Sequence, residues 1–164
     1  HVCEGNKLAA WASTHPAVAV WIKQLNAPVQ GQNDGDLGER IWEAIGERGF
    51  ALGSDAPTLP PAWITQAANS RADVILGPAS DGGCWVIGWN KASPSWLRNI
   101  PWSTERVFDT LLERARSENL LVDVLESWYD VDEPADIEHL VNHLAQLPGD
   151  RARRTRQVLA TLGG

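Results

Sequence analysis

Short apolar runs alternate along the chain with segments whose apolar residues recur every three or four positions, and this alternation predicts an α/β fold. His1 to Glu4 reads as the end of a strand, Lys7 to Thr14 as a short helix, and Ala17 to Ile22 as a strand. A polar stretch rich in Gly, Asn and Asp follows from Asn26 to Gly38. Leu37, Ile41 and Ile45 recur at every fourth residue, so a helix is expected over Leu37 to Arg48. Phe50 to Gly53 is a short buried strand, and Pro60-Pro61 suits the first turn of a helix through Asn69. Asp73 to Gly77 and Cys84 to Trp89 are continuous apolar strands joined by a Pro-Ala-Ser-Asp-Gly-Gly loop.

Ser103 or Thr104 is placed to cap a helix whose inner stripe is Val107, Leu111, Leu112 and Ala115. Leu120 to Leu125 is a further strand, and Pro134 opens a helix expected to turn Ile137, Leu140, Val141 and Leu144 inward. Beyond Pro148-Gly149, residues 150–164 form a basic helix or tail with Arg151, Arg153, Arg154 and Arg156. Strands separated by helices imply a mostly parallel sheet with layers of helices on its faces, whose ligands gather at the carboxyl ends of the strands.

That rule selects the candidate chemistry. Asp55 follows the Phe50–Gly53 strand, with Gly53 allowing close backbone approach and Pro57 fixing the exit of the turn. Asp81 lies just past the next strand, where Gly82-Gly83 offers two unobstructed amides able to form an anion-binding nest. Asp130 and Asp132 follow the last strand and precede a helix. Three acidic strand-end loops at one sheet edge are what a hard divalent cation bridging phosphates needs. Each loop also has a plainer explanation. Asp and Gly are ordinary turn residues, Asp132 could cap the helix after it, and Asp81-Gly82-Gly83 could be hairpin chemistry alone.

Composition narrows the partners. The chain has 164 residues, enough for one domain with a real core, and it is treated as a single domain over 1–164. Its 43% apolar and 21% charged content is that of an ordinary globular protein. A net charge of −7 disfavours nucleic acid as a partner. No apolar run is long enough to span a bilayer. Two cysteines, Cys3 and Cys84, are too few for a disulfide framework, so a reduced, cytoplasmic setting is expected. Cys84 reads as core. His139 and His143, four apart on a helix without a third ligand, read as a solvated face. The C-terminal arginines read as a solvated or frayed helix end. Nine tryptophans are unusual but carry no function by their number.

Four segments in order resemble the GT-A-like family of radical-SAM/selenodomain-associated transferases, a set of glycosyltransferase-like proteins within the nucleotide-diphospho-sugar transferases. They are Gln30 with Gly35-Asp36-Leu37-Gly38-Glu39-Arg40; Gly53-Ser54-Asp55-Ala56-Pro57-Thr58-Leu59; Leu76-Gly77-Pro78-Ala79-Ser80-Asp81-Gly82-Gly83; and Asp130-Val131-Asp132-Glu133-Pro134-Ala135-Asp136. Ile100-Pro101-Trp102-Ser103-Thr104 also matches, so the likeness covers roughly residues 30 to 140. The Gly-x-Asp-x-Pro-x-Leu element is similar to the metal loop of molybdenum-cofactor and phospholactate guanylyltransferases.

The resemblance implies a GT-A-like three-layer α/β/α domain that uses a nucleotide-activated donor. Asp55 would be the central ligand of Mg²⁺ or Mn²⁺, with Asp81 and Asp132 as further metal or phosphate-side carboxylates, and Asp55 and Asp81 as the catalytic pair. Gln30, Asp36, Gly38, Arg40, Gly82 and Gly83 would lie near the nucleotide or donor. The reaction expected is glycosyl transfer, with nucleotidyl transfer to a small metabolite as the alternative within enzymes. A non-catalytic ligand-sensing or interaction module is the alternative outside them. The family opens with a strand and a Lys-Thr-Arg-like phosphate loop that has no counterpart here. An N-terminally truncated version is therefore expected, with an uncovered strand that leaves room for a homo-oligomer.

Overall fold

The structure, a computed structural model, describes residues 2–4, 7–12, 29–31, 34–91 and 93–162. Seven strands form one sheet: β1 (Val2–Glu4), β2 (Lys7–Ala12), β3 (Val29–Gly31), β4 (Gly49–Leu52), β5 (Val74–Pro78), β6 (Cys84–Trp89) and β7 (Val122–Val124). The helices are α1 (Leu37–Ile45), α2 (Pro61–Asn69), α3 (Val107–Ser117), α4 (Pro134–Gln146) and α5 (Arg153–Leu162), with a 3₁₀ turn at Pro94–Leu97. The strand order is β3-β2-β1-β4-β6-β5-β7. Pairing is parallel for β2–β3 and β5–β7, and antiparallel for β1–β2, β1–β4, β4–β6 and β5–β6. Five strands therefore point one way, while β1 and β6 run against them. The carboxyl ends of β4, β5 and β7 consequently lie at the same edge.

Burial explains the layers. On one face Val74, Leu76, Ile87 and Trp89 pack with Ile45, Trp96, Leu97, Val107, Leu111 and Ala115 from α1, the 3₁₀ turn and α3. On the other face Phe50, Ile75, Trp85 and Val86 meet Ala67, Trp63 and Ile64 of α2, with Leu125 and Trp128 alongside. The alternation in Val74-Ile75-Leu76 is the two-residue period of a strand buried on both faces. Trp85 would break that alternation in β6. The pairing partner jumps from Val86 at Gly77 to Cys84 at Pro78, so Trp85 sits in a bulge that turns it to the same side as Val86. Its indole N–H then donates to the Glu126 carbonyl at 3.0 Å, tying β6 to the chain beyond β7. Among the described residues tryptophans pack on one another: Trp42 stacks on Trp89 at 4.9 Å, and Trp63 meets Trp128 edge-on at 4.9 Å.

Several expectations change. Lys7–Ala12 is a strand rather than a helix: ladders to β1 and β3 on both sides override the helix preference of its alanines. A strand, β3, also lies inside the stretch read as polar loop. The strand expected at Ala17–Ile22 falls outside the described residues. On α4, Leu140 and Leu144 are buried as expected, but Ile137 and Val141 are 37% and 47% exposed. The helix therefore presents a narrower stripe, on the Leu140–Leu144 line alone. The α3 stripe holds as expected, with Leu112 half-buried beside the core. No helix among the described residues is long and apolar enough to cross a membrane.

Candidate functional site

Each acidic loop is built by short-range chemistry before it is joined to the others. After β4, the Gly53 amide donates to the Trp85 carbonyl at 3.0 Å, which keeps the chain on the sheet edge. A Cβ at Gly53 would stand 2.6 Å from Asp55 Oδ1, so the carboxylate folds back over this glycine and a side chain here would make it shift. Between β5 and β6, Asp81 Oδ1 accepts from the Gly83 amide at 2.7 Å, and the Gly82 amide donates to the Ala79 carbonyl at 3.2 Å. Both glycine amides thus close the hairpin, and neither is the open donor of an anion nest. Gly82 has φ +89°, and a side chain there would collide with the Glu105 backbone. Its carbonyl instead accepts from the Phe108 amide at 2.9 Å, docking the hairpin on the first turn of α3. The Thr104 hydroxyl donates to the Pro101 carbonyl at 2.7 Å and accepts from the Arg106 amide at 3.3 Å, completing the turn that leads in.

The third loop runs from Trp128 to Glu133. Asp136 Oδ2 accepts the amides of Asp132 and Glu133 at 3.0 and 2.8 Å, and these bonds hold the Asp136 carboxyl below its usual range. Asp136 therefore does the capping that Asp132 might have done. The Asp132 side chain is left exposed beside the other acids.

Backbone stitches bring the loops together. The Val131 amide donates to the Asp55 carbonyl at 2.9 Å, joining the first and third loops. The Ser80 amide donates to the Trp128 carbonyl at 2.9 Å, and the Trp128 amide to the Pro78 carbonyl at 3.0 Å, joining the second and third. Among the described residues one trio of potential metal ligands results: Asp81, Asp130 and Asp132 place carboxylate oxygens within 4.8 Å of one another. Asp130 is half-buried and the other two are exposed. Asp55 stands outside that trio but near enough for its charge to act on two of its members. Burial, and then the charges of Asp81, Asp132 and Asp55, push the Asp130 carboxyl up to about 6 against an opposing bond from its own amide. Asp132 is raised by burial first and then by neighbouring charges, those of Asp55 and Asp81 acting most strongly.

Asp55, expected as the central ligand, lies outside the trio, and Asp130, which was not among the expected ligands, lies within it. The legible signal was Asp130-x-Asp132, because residues two apart on extended chain share a side. Gln30 lies in β3 opposite Trp11, and its side chain is outside the described residues. The Asp36–Arg40 segment has a local explanation. Asp36 Oδ1 accepts the Glu39 amide at 2.9 Å while Glu39 Oε2 accepts the Asp36 amide at 3.1 Å, a complete capping box for α1. A Cβ on Gly38 would be 2.7 Å from the Leu97 carbonyl, so this glycine lets α1 seat against the 3₁₀ turn. Arg40 Nε reaches the Asp36 carbonyl at 3.4 Å.

Two features were not anticipated. His143 is half-buried rather than solvated, with Nδ1 2.9 Å from the Tyr129 hydroxyl, and His139 sets its ring edge-on to Tyr129 at 4.3 Å. The basic tail is also engaged. The Arg156 guanidinium donates to the carbonyls of Leu144 and Leu147 at 2.6 and 3.1 Å, where α4 ends. Cys84 is half-buried beside the core, and its thiol is pushed up to about 12 by burial and then by Asp81.

No curated protein matches the chain. Among solved structures it is similar to a Desulfovibrio desulfuricans G20 protein provisionally assigned as a nucleotide-diphospho-sugar transferase, with 26% identity and a TM-score of 0.78. That likeness covers 93% of this chain and 75% of the other. The fold is thus that of the nucleotide-diphospho-sugar transferases, as the order of the acidic loops suggested. Residues 3–104, more than half of the sequence, match the family described as "Uncharacterized protein conserved in bacteria (DUF2064)", and the chain belongs to that family.

Proposed function

We propose that this chain is a metal-dependent transferase that uses a nucleotide-activated donor, glycosyltransferase-like in its chemistry. The observation that carries the reading is the gathering of Asp81, Asp130 and Asp132 within 4.8 Å, beside Asp55, at the carboxyl edge of the sheet. In an open α/β sheet that edge is where ligands bind. The likeness to the Desulfovibrio protein supports the transferase class, and the sequence resemblance to radical-SAM/selenodomain-associated transferases is read in the same sense.

The residues suit a hard cation. Carboxylate oxygens are the ligands Mg²⁺ and Mn²⁺ prefer, and the burial and neighbouring negative charges that raise Asp130 and Asp132 are both offset by a positive ion between them. Asp81, Asp130 and Asp132 would hold it, with Asp55 beside them as a further ligand or an anchor for its water. Such an ion supplies charge compensation for a departing nucleoside diphosphate. The chain's own contribution is to fix the acids on three stitched loops, so that little reorganisation accompanies binding. Gln30 and Arg40 remain the proposed donor-side contacts, whereas Gly82 and Gly83, whose amides are used within the hairpin, would act through its shape. Asp36 and Gly38 would act mainly through the shape of α1.

Melting curves with UDP-, GDP- and CDP-sugars, each with and without Mn²⁺, test the proposal. A metal-dependent rise for one donor is expected, lost in Asp132→Asn and reduced in Asp55→Asn. The absence of any metal-dependent shift across the set would sink it and leave the ligand-sensing module as the reading. Release of nucleoside diphosphate on turnover marks glycosyl transfer, whereas pyrophosphate from a nucleoside triphosphate marks nucleotidyl transfer.

A further inference from the structure

Among the described residues Thr58 is the one buried polar side chain, 2% exposed, and its hydroxyl donates to the Tyr129 hydroxyl at 2.7 Å. The Tyr129 hydroxyl in turn lies 2.9 Å from His143 Nδ1 on α4. The placement in sequence gives this chain of bonds its interest. Thr58 is three residues past Asp55, and Tyr129 directly precedes Asp130. The three groups thus link the first acidic loop, the third acidic loop and α4 through side chains alone, whereas the stitches from Val131 to Asp55 and from Ser80 to Trp128 all end on backbone carbonyls. The Tyr129 ring cannot easily turn away. Trp128 stacks on it at 5.6 Å, and His139 meets it edge-on at 4.3 Å.

We infer that the Tyr129 hydroxyl, held between Thr58 and His143, is the positioning group that sets the cation affinity of the acidic site. The inference rests on the cation reading proposed above. Like charges at this edge push the loops apart, and each loop can relieve the strain by a small outward shift. The backbone stitches fix Val131 to Asp55, but they leave free the approach of the loops beneath the carboxylates. A hydrogen-bonded hydroxyl chain in a part-buried, aromatic-walled position sets that spacing, because breaking the Thr58–Tyr129 bond leaves the buried Thr58 hydroxyl without its partner. His143 is the far anchor, so α4 takes part in the site without touching it.

Mn²⁺ titration of the wild-type chain, Tyr129→Phe, Thr58→Val and Thr58→Ser, read by calorimetry with parallel thermal melts, tests this. Tyr129→Phe keeps the ring and its stacking, and Thr58→Val keeps the packing. Both should bind Mn²⁺ roughly tenfold to a hundredfold more weakly, the cost typical of losing a group that orients metal ligands. Thr58→Ser loses a methyl group yet keeps the hydroxyl, so it should bind nearly as wild type even where it melts lower. A purely structural role predicts the reverse order for the two Thr58 variants. Binding by Tyr129→Phe and Thr58→Val within about twofold of wild type would overturn the inference and leave the cation site standing. If Tyr129→Phe fails to fold, the Thr58 pair decides alone. A wild-type chain that binds no Mn²⁺ refutes the cation site itself, and the positioning role with it.

Discussion

Replacing Asp130 by asparagine should make the metal-free protein more stable, and the gain should depend on pH. Asp130 is raised from an ordinary 3.8 to about 6 by its burial and by three neighbouring carboxylates. Its folded pKa stands above its unfolded one. Between about pH 4 and about pH 6 the native state therefore holds a proton that the unfolded chain has released, and stability falls as pH rises through that window. Above it the deficit is complete. At 1.36 kcal/mol per pKa unit the difference corresponds to about 3 kcal/mol. Asp130 is only half-buried, however, and solvent screening reduces the figure to about 1 kcal/mol. For a chain of this size that is a rise in Tm of roughly 3 °C. Thermal melts in EDTA across roughly pH 4 to 8 should show Asp130→Asn level with wild type at the acid end and above it at the alkaline end. Added Mn²⁺ should reverse the order, since a cation stabilises the chain that binds it. A variant less stable than wild type near pH 8 in EDTA, or a gain that ignores pH, would refute the reasoning.

Gly82→Ala should cost about 2–3 kcal/mol, because it sets an L residue at φ +89° and drives a Cβ into the Glu105 backbone; urea unfolding measures it, and a neutral result would mean the hairpin docks on α3 differently. On α4, Leu140→Ala should cost about 2–4 kcal/mol, while Val141→Ala should change little because that side chain is 47% exposed. Equal losses in the two would restore the broader inner stripe that the sequence suggests. Cys84, with its thiol at about 12, should resist alkylation near neutral pH until denaturant is added, as followed by peptide mass mapping; rapid labelling of the folded chain would show the position is open.

The parts of the fold that could be read from sequence are those whose pattern is local. Val74-Ile75-Leu76 and Cys84–Trp89 are dense apolar runs that serve a sheet buried on both faces, and Val107, Leu111 and Ala115 keep helical spacing. What escaped depended on partners distant in sequence. Lys7–Ala12 has alanines that favour a helix, and only its ladders to β1 and β3 make it a strand. Ile137 and Val141 fit a helical stripe, but the surface offered to α4 reaches only Leu140 and Leu144. The site divides in the same way. Its location at the strand ends followed from Asp55, Asp81 and Asp132 in order. Which three acids converge depended on the stitch from Val131 to Asp55 and on the turn that spends the Gly82 and Gly83 amides internally. Thr58 and Tyr129 are 71 residues apart in sequence, and no periodicity announces a bond between two hydroxyls.

The capping of α4 by Asp136 has a consequence for how related sequences can be sorted. The segment from Asp130 to Asp136 holds two separable instructions: Asp136 starts a helix, while Asp130 and Asp132 furnish charge to the sheet edge. A relative that kept the aspartate of position 136 and lost those of 130 and 132 would fold as this chain does while surrendering its acidic trio. One with the opposite losses would keep the acids on a poorly anchored loop. The two kinds of loss can be told apart from a single line of sequence, which gives a way to choose, before any assay, which members of the family to test for transfer and which to test for binding alone.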